Sequence, residues 1–321
     1  MRVVVDELAN TAELYHACVH PAQYQRGETR ASVEMFEQEA GHQLEPFQLA
    51  ACEAVAAGES AIVSAPTSAG KTCVARYALR HHMRMGMVAY TSPIKALSNQ
   101  KFVEFSEAFP GEVGLLTGDT QIRPDARILV ATTEIFRARL GEASFSRDLR
   151  AVIFDEIHYL ADEERGVAWE EAVLMLPPGV PLVCLSATVP NFRDVAGWIC
   201  EARCTPVHAI ATLSRPVPLR HSVLAGQKVH PLGPAAEGVA AANAALSEQA
   251  GRTKESAAMR EAASKLQALL AKGSEFRPLI VFSVGRSFCR QLAEMTSGRL
   301  RGKLRTSCEH GALRGLCVET L

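Results

Sequence analysis

The chain has 321 residues, of which 48% are hydrophobic and 21% charged, and its formal net charge at pH 7 is −1. This composition supplies enough apolar side chains for a sizeable core and excludes a chain that is mainly disordered. Nine cysteines without a regular framework, and apolar runs far too short to span a bilayer, predict an intracellular protein, nuclear or cytoplasmic, without a membrane role.

Short apolar runs alternate with helical patterns between residues 60 and 198, which is typical of strands covered on both faces by helices. The first helical pattern, Thr72–Met85, directly precedes Gly86. Such alternation predicts an α/β fold with a mostly parallel sheet. The predicted strands are Ala61–Ser64, Met87–Tyr90, Ile128–Ala131, Ala151–Phe154 and Leu182–Leu185.

The composition changes after Pro216 and Pro218, and no Phe, Tyr or Trp occurs between His221 and Glu275. A new apolar run at residues 278–282 predicts that a second α/β unit begins near residue 276. We therefore divide the chain into an N-terminal extension (1–40), an α/β lobe (41–215), a connector (216–275) and an incomplete second lobe with a divergent tail (276–321).

A phosphate-binding loop is the strongest chemical signal, because small residues follow a strand and open a helix. Successive backbone amides of such a loop point at a polyphosphate, and the helix N-terminus adds partial positive charge. Lys71 would reach the β- and γ-phosphates, and the Thr72 hydroxyl would ligate Mg²⁺. A strand–helix turn with a chance lysine is the plainer interpretation. The loop is Ala65, Pro66, Thr67, Ser68, Ala69, Gly70, Lys71 and Thr72.

Acidic and hydroxyl residues follow two later strands of the same unit. Asp155 and Glu156 follow the run 151–154, and parallel strands place their chemistry at this end. Asp155 would hold Mg²⁺ through water, and Glu156 would orient or deprotonate the attacking water. Ser186 and Thr188 follow the next strand and could sense the state of the nucleotide.

These residues resemble the DExH-box helicases of superfamily 2, specifically the superkiller and exosome-cofactor type of RNA helicase. The resemblance is close between about Leu44 and Arg220 and loose over residues 278–295. The matching segments occur in the family's order. They are Glu45–Gln48, the phosphate-binding loop, Tyr90–Lys101, Leu116–Asp119, Ala131–Ile135, Asp155–His158, Glu164–Glu171, Ser186–Thr188 and Ile280–Ser283.

The resemblance implies a RecA-like lobe that binds ATP, Mg²⁺ and single-stranded RNA, followed by a partial second RecA-like lobe. Phe47 and Gln48 would recognise adenine, and His158, Ser186 and Thr188 would couple nucleotide state to strand binding. The implied activity is ATP-dependent 3′-to-5′ RNA unwinding with an RNA exosome or its adaptor complex as partner, and no small-molecule substrate besides ATP. The implied contacts to the strand are Ser92, Pro93, Lys95, Ala96, Thr117, Gly118, Thr132, Thr133 and Glu134.

Two departures leave alternatives open. The family often has His where this chain has Pro66, and a proline there is common in related DNA and RNA helicases, so a DNA-unwinding enzyme is one rival. The sequence has no Gln-x-x-Gly-Arg-x-Gly-Arg segment, whose arginines would reach the γ-phosphate. We therefore expect a fragment whose own activity is weak, and a nucleotide-dependent nucleic-acid-binding module without turnover is the second rival.

Overall fold

The computed structural model describes residues 3–11, 14–21, 31–162, 165–218, 221–225 and 228–232, and the single residues 262, 264, 265 and 291. Two compact units are present, residues 1–217 and 218–321. In the first unit the strands are β1 (Val3–Asn10), β2 (Tyr15–Pro21), β3 (Ser60–Ser64), β4 (Met87–Ser92), β5 (Val113–Thr117), β6 (Thr120–Ile122), β7 (Ile128–Thr132), β8 (Leu149–Phe154), β9 (Leu182–Ser186) and β10 (Val207–Ala211). The helices are α1 (Ala31–Ala40), α2 (Pro46–Ala56), α3 (Lys71–His82), α4 (Lys95–Ala108), α5 (Thr133–Leu140), α6 (Ala143–Asp148), α7 (Gly166–Met175) and α8 (Phe192–Arg203), with a 3₁₀ turn at Ile157–Ala161.

One sheet organises the first unit, with strand order β1-β2-β10-β3-β9-β8-β4-β7-β5-β6. Neighbours from β10 to β5 pair in parallel, whereas β1, β2 and β6 pair antiparallel at the two edges. Alternate side chains of a strand enter cores on opposite faces, as Ala61 and Val63 do on one face and Ile62 on the other. The predicted mostly parallel α/β fold is confirmed.

All five predicted strands are central strands of this sheet. The helix expected over Thr72–Met85 begins one residue earlier, at Lys71, and ends at His82. Its last predicted turn is tighter than an α-helix, because the Met85 amide donates to the His82 carbonyl at 2.9 Å.

The described part of the N-terminal extension joins the lobe, because β2 pairs with β10 and β1 pairs with β2. In the second unit, His221–Ala225 (β11) and Lys228–Leu232 (β12) form an antiparallel pair within the predicted connector. Apart from residue 291, the expected second lobe lies outside the described residues, so the domain boundaries stay predictions. Within the part of the chain that the structure describes, no helix is both long and apolar enough to cross a membrane.

Candidate functional site

The carboxyl ends of the parallel strands meet at one edge of the sheet, and the candidate residues gather there. The phosphate-binding loop follows β3, the acidic pair follows β8, and Ser186 ends β9. The segments proposed to contact single-stranded nucleic acid lie at the carboxyl ends of β4, β5 and β7. Parallel pairing therefore brings these segments to the edge where α/β sheets place their ligands.

Gly70 shapes the phosphate-binding loop because its backbone has a φ of 96°, in the left-handed region that favours glycine. A Cβ at this position would lie 2.5 Å from Nε2 of Gln48. The Lys71 ammonium donates to the carbonyls of Ala65 at 2.8 Å and Pro66 at 3.2 Å, so it closes the curl of the loop. A curled loop with an inward ammonium fits a polyphosphate chain.

The acidic pair stands opposite this lysine. The Tyr90 hydroxyl donates to Oδ2 of Asp155, and the Asp155 amide donates to the Thr91 carbonyl at 2.9 Å. Burial, reinforced by the charge of Asp155, raises the pKa of Glu156, although Lys71 and Lys101 oppose the shift. Burial lowers the pKa of Lys71, although Glu156 and Asp155 oppose that shift. Lys71, Asp155 and Glu156 therefore interact electrostatically, and clusters of groups with shifted pKa values are common at functional sites.

The Thr72 hydroxyl accepts a hydrogen bond from the Lys101 ammonium at 3.2 Å. Among the described residues, no group of three or more His, Cys, Asp and Glu side chains could hold a metal by itself. Thr72 and Asp155 nevertheless offer the hard oxygen donors that Mg²⁺ prefers, and Mg²⁺ commonly completes its shell with phosphate and water. The residues therefore fit a magnesium ion that arrives with a nucleotide.

Hydrogen bonds join the ends of β3 and β9. The Ala65 amide donates to the Ser186 carbonyl at 3.2 Å, and the Ser64 hydroxyl donates to the Ala187 carbonyl at 3.3 Å. Oγ of Ser186 is buried without a hydrogen-bond partner among the described residues, whereas Thr188 is exposed. These two hydrogen bonds connect the loop around Ser186 directly to the start of the phosphate-binding loop.

His158 lies on the 3₁₀ turn after the acidic pair, with Nδ1 3.3 Å from Oε2 of Glu156. Burial and the charge of Lys71 lower the pKa of His158, and Asp155 opposes them. His158 and Ser186 line one cavity of about 190 Å³. The structure thus brings two of the three predicted coupling residues together and leaves Thr188 at the surface.

The residues proposed to contact nucleic acid divide into two groups. Ser92, Pro93, Thr117, Thr132 and Thr133 are buried, whereas Lys95, Ala96 and Gly118 are exposed and Glu134 is half-buried. The buried hydroxyls hold the loops in place: Oγ of Ser92 lies 2.7 Å from Oγ of Ser98, and Thr133 donates to the Ser92 carbonyl at 3.5 Å. Any contact from this group would therefore come from the backbone.

Two helices begin at this edge without a capping hydrogen bond from the side chain of the residue that precedes them. Ile94 precedes α4 and Thr132 precedes α5, and neither makes a side-chain cap. The first-turn amides of a helix lack partners within the helix and attract anions. Lys95 of α4 pairs with Asp119 after β5. These features give the edge a surface that suits phosphates.

Phe47 and Gln48, predicted to recognise adenine, lie at the start of α2. Phe47 is buried in the core. Oε1 of Gln48 accepts from the Glu45 amide at 2.9 Å, and Nε2 donates to the Gly70 carbonyl at 3.0 Å. Gln48 thus joins α2 to the phosphate-binding loop, and its role toward adenine stays a prediction.

Sequence reasoning did not single out Tyr90 or Lys101, although both lie in a quoted segment. Their signal is position: Tyr90 lies on the central strand next to Asp155, and Lys101 lies on the helix that β4 feeds. Arg165 donates to the Pro93 carbonyl at 3.0 Å and so links the loop after the acidic pair to the start of α4. Trp169 is fully buried and packs on Phe154, which makes it a core residue.

Comparisons with known proteins identify relatives of the first unit. A family model described as DEAD/DEAH box helicase matches residues 45–195. The antiviral helicase SKI2 of Saccharomyces cerevisiae is 48% identical over 193 residues, 59% of this chain and 15% of that protein. The exosome RNA helicase MTR4 of Homo sapiens is 51% identical over 182 residues, 56% of this chain and 17% of that protein. The chain thus spans 15–17% of the length of these relatives.

A solved structure is also similar, that of the DUF1998 helicase MrfA bound to DNA. It matches with a TM-score of 0.60 and 15% identity, covering 95% of this chain and 42% of that chain. At this identity the likeness concerns the fold alone. Residues 45–195 of this chain therefore match the DEAD/DEAH box helicase domain, which implies the use of ATP, and over that region the chain is similar to the Ski2 and Mtr4 RNA helicases.

Proposed function

We propose that this chain supplies the ATP-binding lobe of an ATP-dependent RNA helicase that moves 3′ to 5′ along single-stranded RNA during RNA processing or decay. The observation that carries the proposal is the sheet edge where Lys71, Asp155 and Glu156 lie beside the uncapped starts of α4 and α5. A nucleotide site and a phosphate-binding surface on one rigid edge are what coupled binding requires. The relatives named as RNA helicases support RNA as the strand.

In the proposed mechanism, the amides of the loop and the Lys71 ammonium bind the β- and γ-phosphates. Lys71 would first leave the carbonyls of Ala65 and Pro66, which it now contacts. Thr72 and Asp155 would hold Mg²⁺, which neutralises phosphate charge when bound. Glu156 would accept the proton of the attacking water, and its raised pKa brings it closer to the range in which a general base works at neutral pH.

The strand would be held through its phosphates, without reading of the bases. Backbone amides at the starts of α4 and α5, together with Lys95, would make these contacts. Arg165 links the segment after the acidic pair to the loop that precedes α4. Ser64 and Ser186 link the end of β9 to the start of the phosphate-binding loop. These links would pass a change at the nucleotide to the strand.

The proposed setting is an intracellular one, in the nucleus or the cytoplasm, with an RNA exosome or its adaptor complex as partner. The human relative's name, exosome RNA helicase, supports this partner. Unwinding and the exosome partner are therefore proposed from relatives that are much longer than the region matched here.

Nucleotide binding by the 321-residue protein is the direct test. Anisotropy of a fluorescent ATP in excess Mg²⁺ should give an affinity that Lys71→Ala weakens at least tenfold, equivalent to about 1.4 kcal/mol, because the ammonium contacts ground-state phosphates. Equal affinity of Lys71→Ala and the unmodified protein would overturn the assignment.

A comparison of the affinities for labelled oligo-U and oligo-dT then distinguishes an RNA helicase from its DNA-unwinding rival. Tighter binding of oligo-dT would contradict RNA as the nucleic acid that this lobe binds.

A further inference from the structure

Lys101 is an almost buried ammonium inside the proposed nucleotide site. Its side chain is only 13% exposed. Nζ donates to Oγ1 of Thr72 at 3.2 Å and to Oε2 of Glu104 at 2.9 Å, and it lies 5.8 Å from the centre of the Phe105 ring. Lys101 is therefore held between the Thr72 hydroxyl of the phosphate-binding loop and the Glu104 carboxylate of its own helix.

The contact with Thr72 matters because Thr72 is the residue proposed to ligate Mg²⁺. An ammonium within hydrogen-bond distance of that hydroxyl occupies the neighbourhood in which the metal's double positive charge would develop. The two cations repel strongly at such separations when water is largely excluded. Lys101 also acts on the opposite wall of the site, since its charge is one of two that oppose the raised pKa of Glu156.

We propose that Lys101 is a positioning residue that stands in for the magnesium ion on Thr72 while the metal is absent. With metal-free nucleotide, its ammonium adds positive charge beside the phosphates. When Thr72 ligates Mg²⁺, the ammonium moves toward Glu104, whose carboxylate already accepts a hydrogen bond from it. This inference rests on the proposed function, because it takes the assignments of the phosphate-binding loop and Thr72 as its frame.

The proposal has a thermodynamic consequence for the ratio of nucleotide affinities with and without Mg²⁺. Lys101 strengthens metal-free binding and opposes the metal-loaded state, so it makes the two affinities more alike. A lysine that served only as an ordinary i,i+3 partner of Glu104 would change the two affinities together or not at all. The ratio therefore separates the proposed role from a merely structural one.

The experiment measures the dissociation constant of a fluorescent ATP in EDTA and in excess Mg²⁺, using the 321-residue protein. Replacing the ammonium by an apolar chain of similar length, Lys101→Met, should raise the ratio of the EDTA constant to the Mg²⁺ constant at least threefold. Lys101→Arg keeps the charge and should leave the ratio near that of the unmodified protein. Glu104→Gln removes the carboxylate toward which the ammonium withdraws, so it should lower the ratio.

Arg84→Met is the matched control, because it removes an exposed positive charge just beyond the far end of α3 and should leave both affinities unchanged. An unchanged ratio in Lys101→Met would overturn the inference. If that variant fails to fold, as judged by circular dichroism, Lys101→Gln and Glu104→Gln decide on the same ratio. Loss of binding in Lys71→Ala together with an unchanged ratio would reject the role of Lys101 alone, whereas unaltered binding in Lys71→Ala would reject the proposed function.

Discussion

Glu156 has a left-handed backbone, with φ 57° and ψ 44°, although it carries a full side chain. For a residue other than glycine this conformation costs about 1–2 kcal/mol. Its amide donates to Oδ1 of the preceding Asp155 at 3.1 Å, which helps to hold the turn. Backbone strain of this kind concentrates at functional sites, where the surrounding structure enforces it. The strained turn holds a partly buried carboxyl group directly beside the phosphate-binding loop.

Glu156→Gln should stabilise the protein at pH 7 while leaving ATP binding near normal. Because the folded-state pKa of Glu156 is raised, its ionised form destabilises the folded state above that pKa. A neutral glutamine removes this penalty, and we expect the melting temperature to rise by about 1–3 °C. The difference should begin to shrink as the pH falls through the folded pKa, and it should vanish below the lower pKa of the unfolded chain, where Glu156 is neutral in both states.

Thermal melts between pH 4 and pH 8 would check the sign of this effect. The exposed Glu107 gives a control, since Glu107→Gln should not change the melting temperature. A lower melting temperature of Glu156→Gln at pH 7, or a difference that does not depend on pH, would contradict the explanation.

Gly70→Ala should weaken ATP binding by about tenfold, which corresponds to 1.4 kcal/mol. Its Cβ would meet Gln48 and would force the backbone out of the left-handed region. Gly58 supplies a matched control, because it also has a positive φ of 74° but a Cβ there meets nothing within 4 Å. Gly58→Ala should therefore lower the melting temperature without changing the ATP affinity, and equal losses of affinity in both variants would count against the role of Gly70.

At the scale of elements, α4 and α5 face the same edge with uncapped first turns, and Asp119 pairs with the Lys95 side chain of α4. In the free protein this pairing keeps the lysine on a carboxylate. A bound strand would have to compete with Asp119 for Lys95. Substitutions in this ion pair should therefore change the affinity for single-stranded nucleic acid.

Binding of single-stranded RNA should be independent of sequence and sensitive to salt. Counterion release predicts that the logarithm of the affinity falls linearly with the logarithm of salt concentration, by about 0.7 for each phosphate contacted, and we expect a slope between about −1 and −3. Lys95→Ala should reduce the slope by about one at most. Asp119→Asn should strengthen binding, because it frees Lys95. Oligo-U anisotropy across a salt series measures both, and a flat salt response would disprove the phosphate contacts.

The central strands were predictable from sequence because each is a continuous apolar run, whereas β2 and β10 were not. These two strands carry His16 and His208, polar residues that ordinarily mark a surface. Both are buried in the structure, and their rings are hydrogen-bonded at 2.8 Å across 192 residues of sequence. No local window shows such a pairing. Likewise, Lys101 could be assigned to the site only once packing had brought α4 against Thr72.

In the first unit as a whole, the same buried contacts attach the N-terminal strands β1 and β2 to the rest of the α/β sheet. His208 bonds His16 of β2 on one side and Glu59 on the other, and Glu59 directly precedes β3. This chain of hydrogen bonds through His16, His208 and Glu59, here called the relay, thus connects the two antiparallel edge strands β1 and β2 to β3, which leads into the phosphate-binding loop. It lies at the amino end of β3, opposite the functional edge.

Breaking this relay should lower stability without impairing the site, and Glu59→Ala is the test. Removing a buried acceptor bonded to a histidine costs about 2 kcal/mol, so we expect the melting temperature to fall by about 4–8 °C. ATP affinity of the folded protein should stay unchanged, because β3 is also held along its length by β9 and β10. His208→Phe combined with Glu59→Ala should cost less than the sum of the single changes, since both remove one interaction. Additive losses in the double variant, or a weaker ATP affinity in folded Glu59→Ala, would show that the relay does not act as a separate structural attachment.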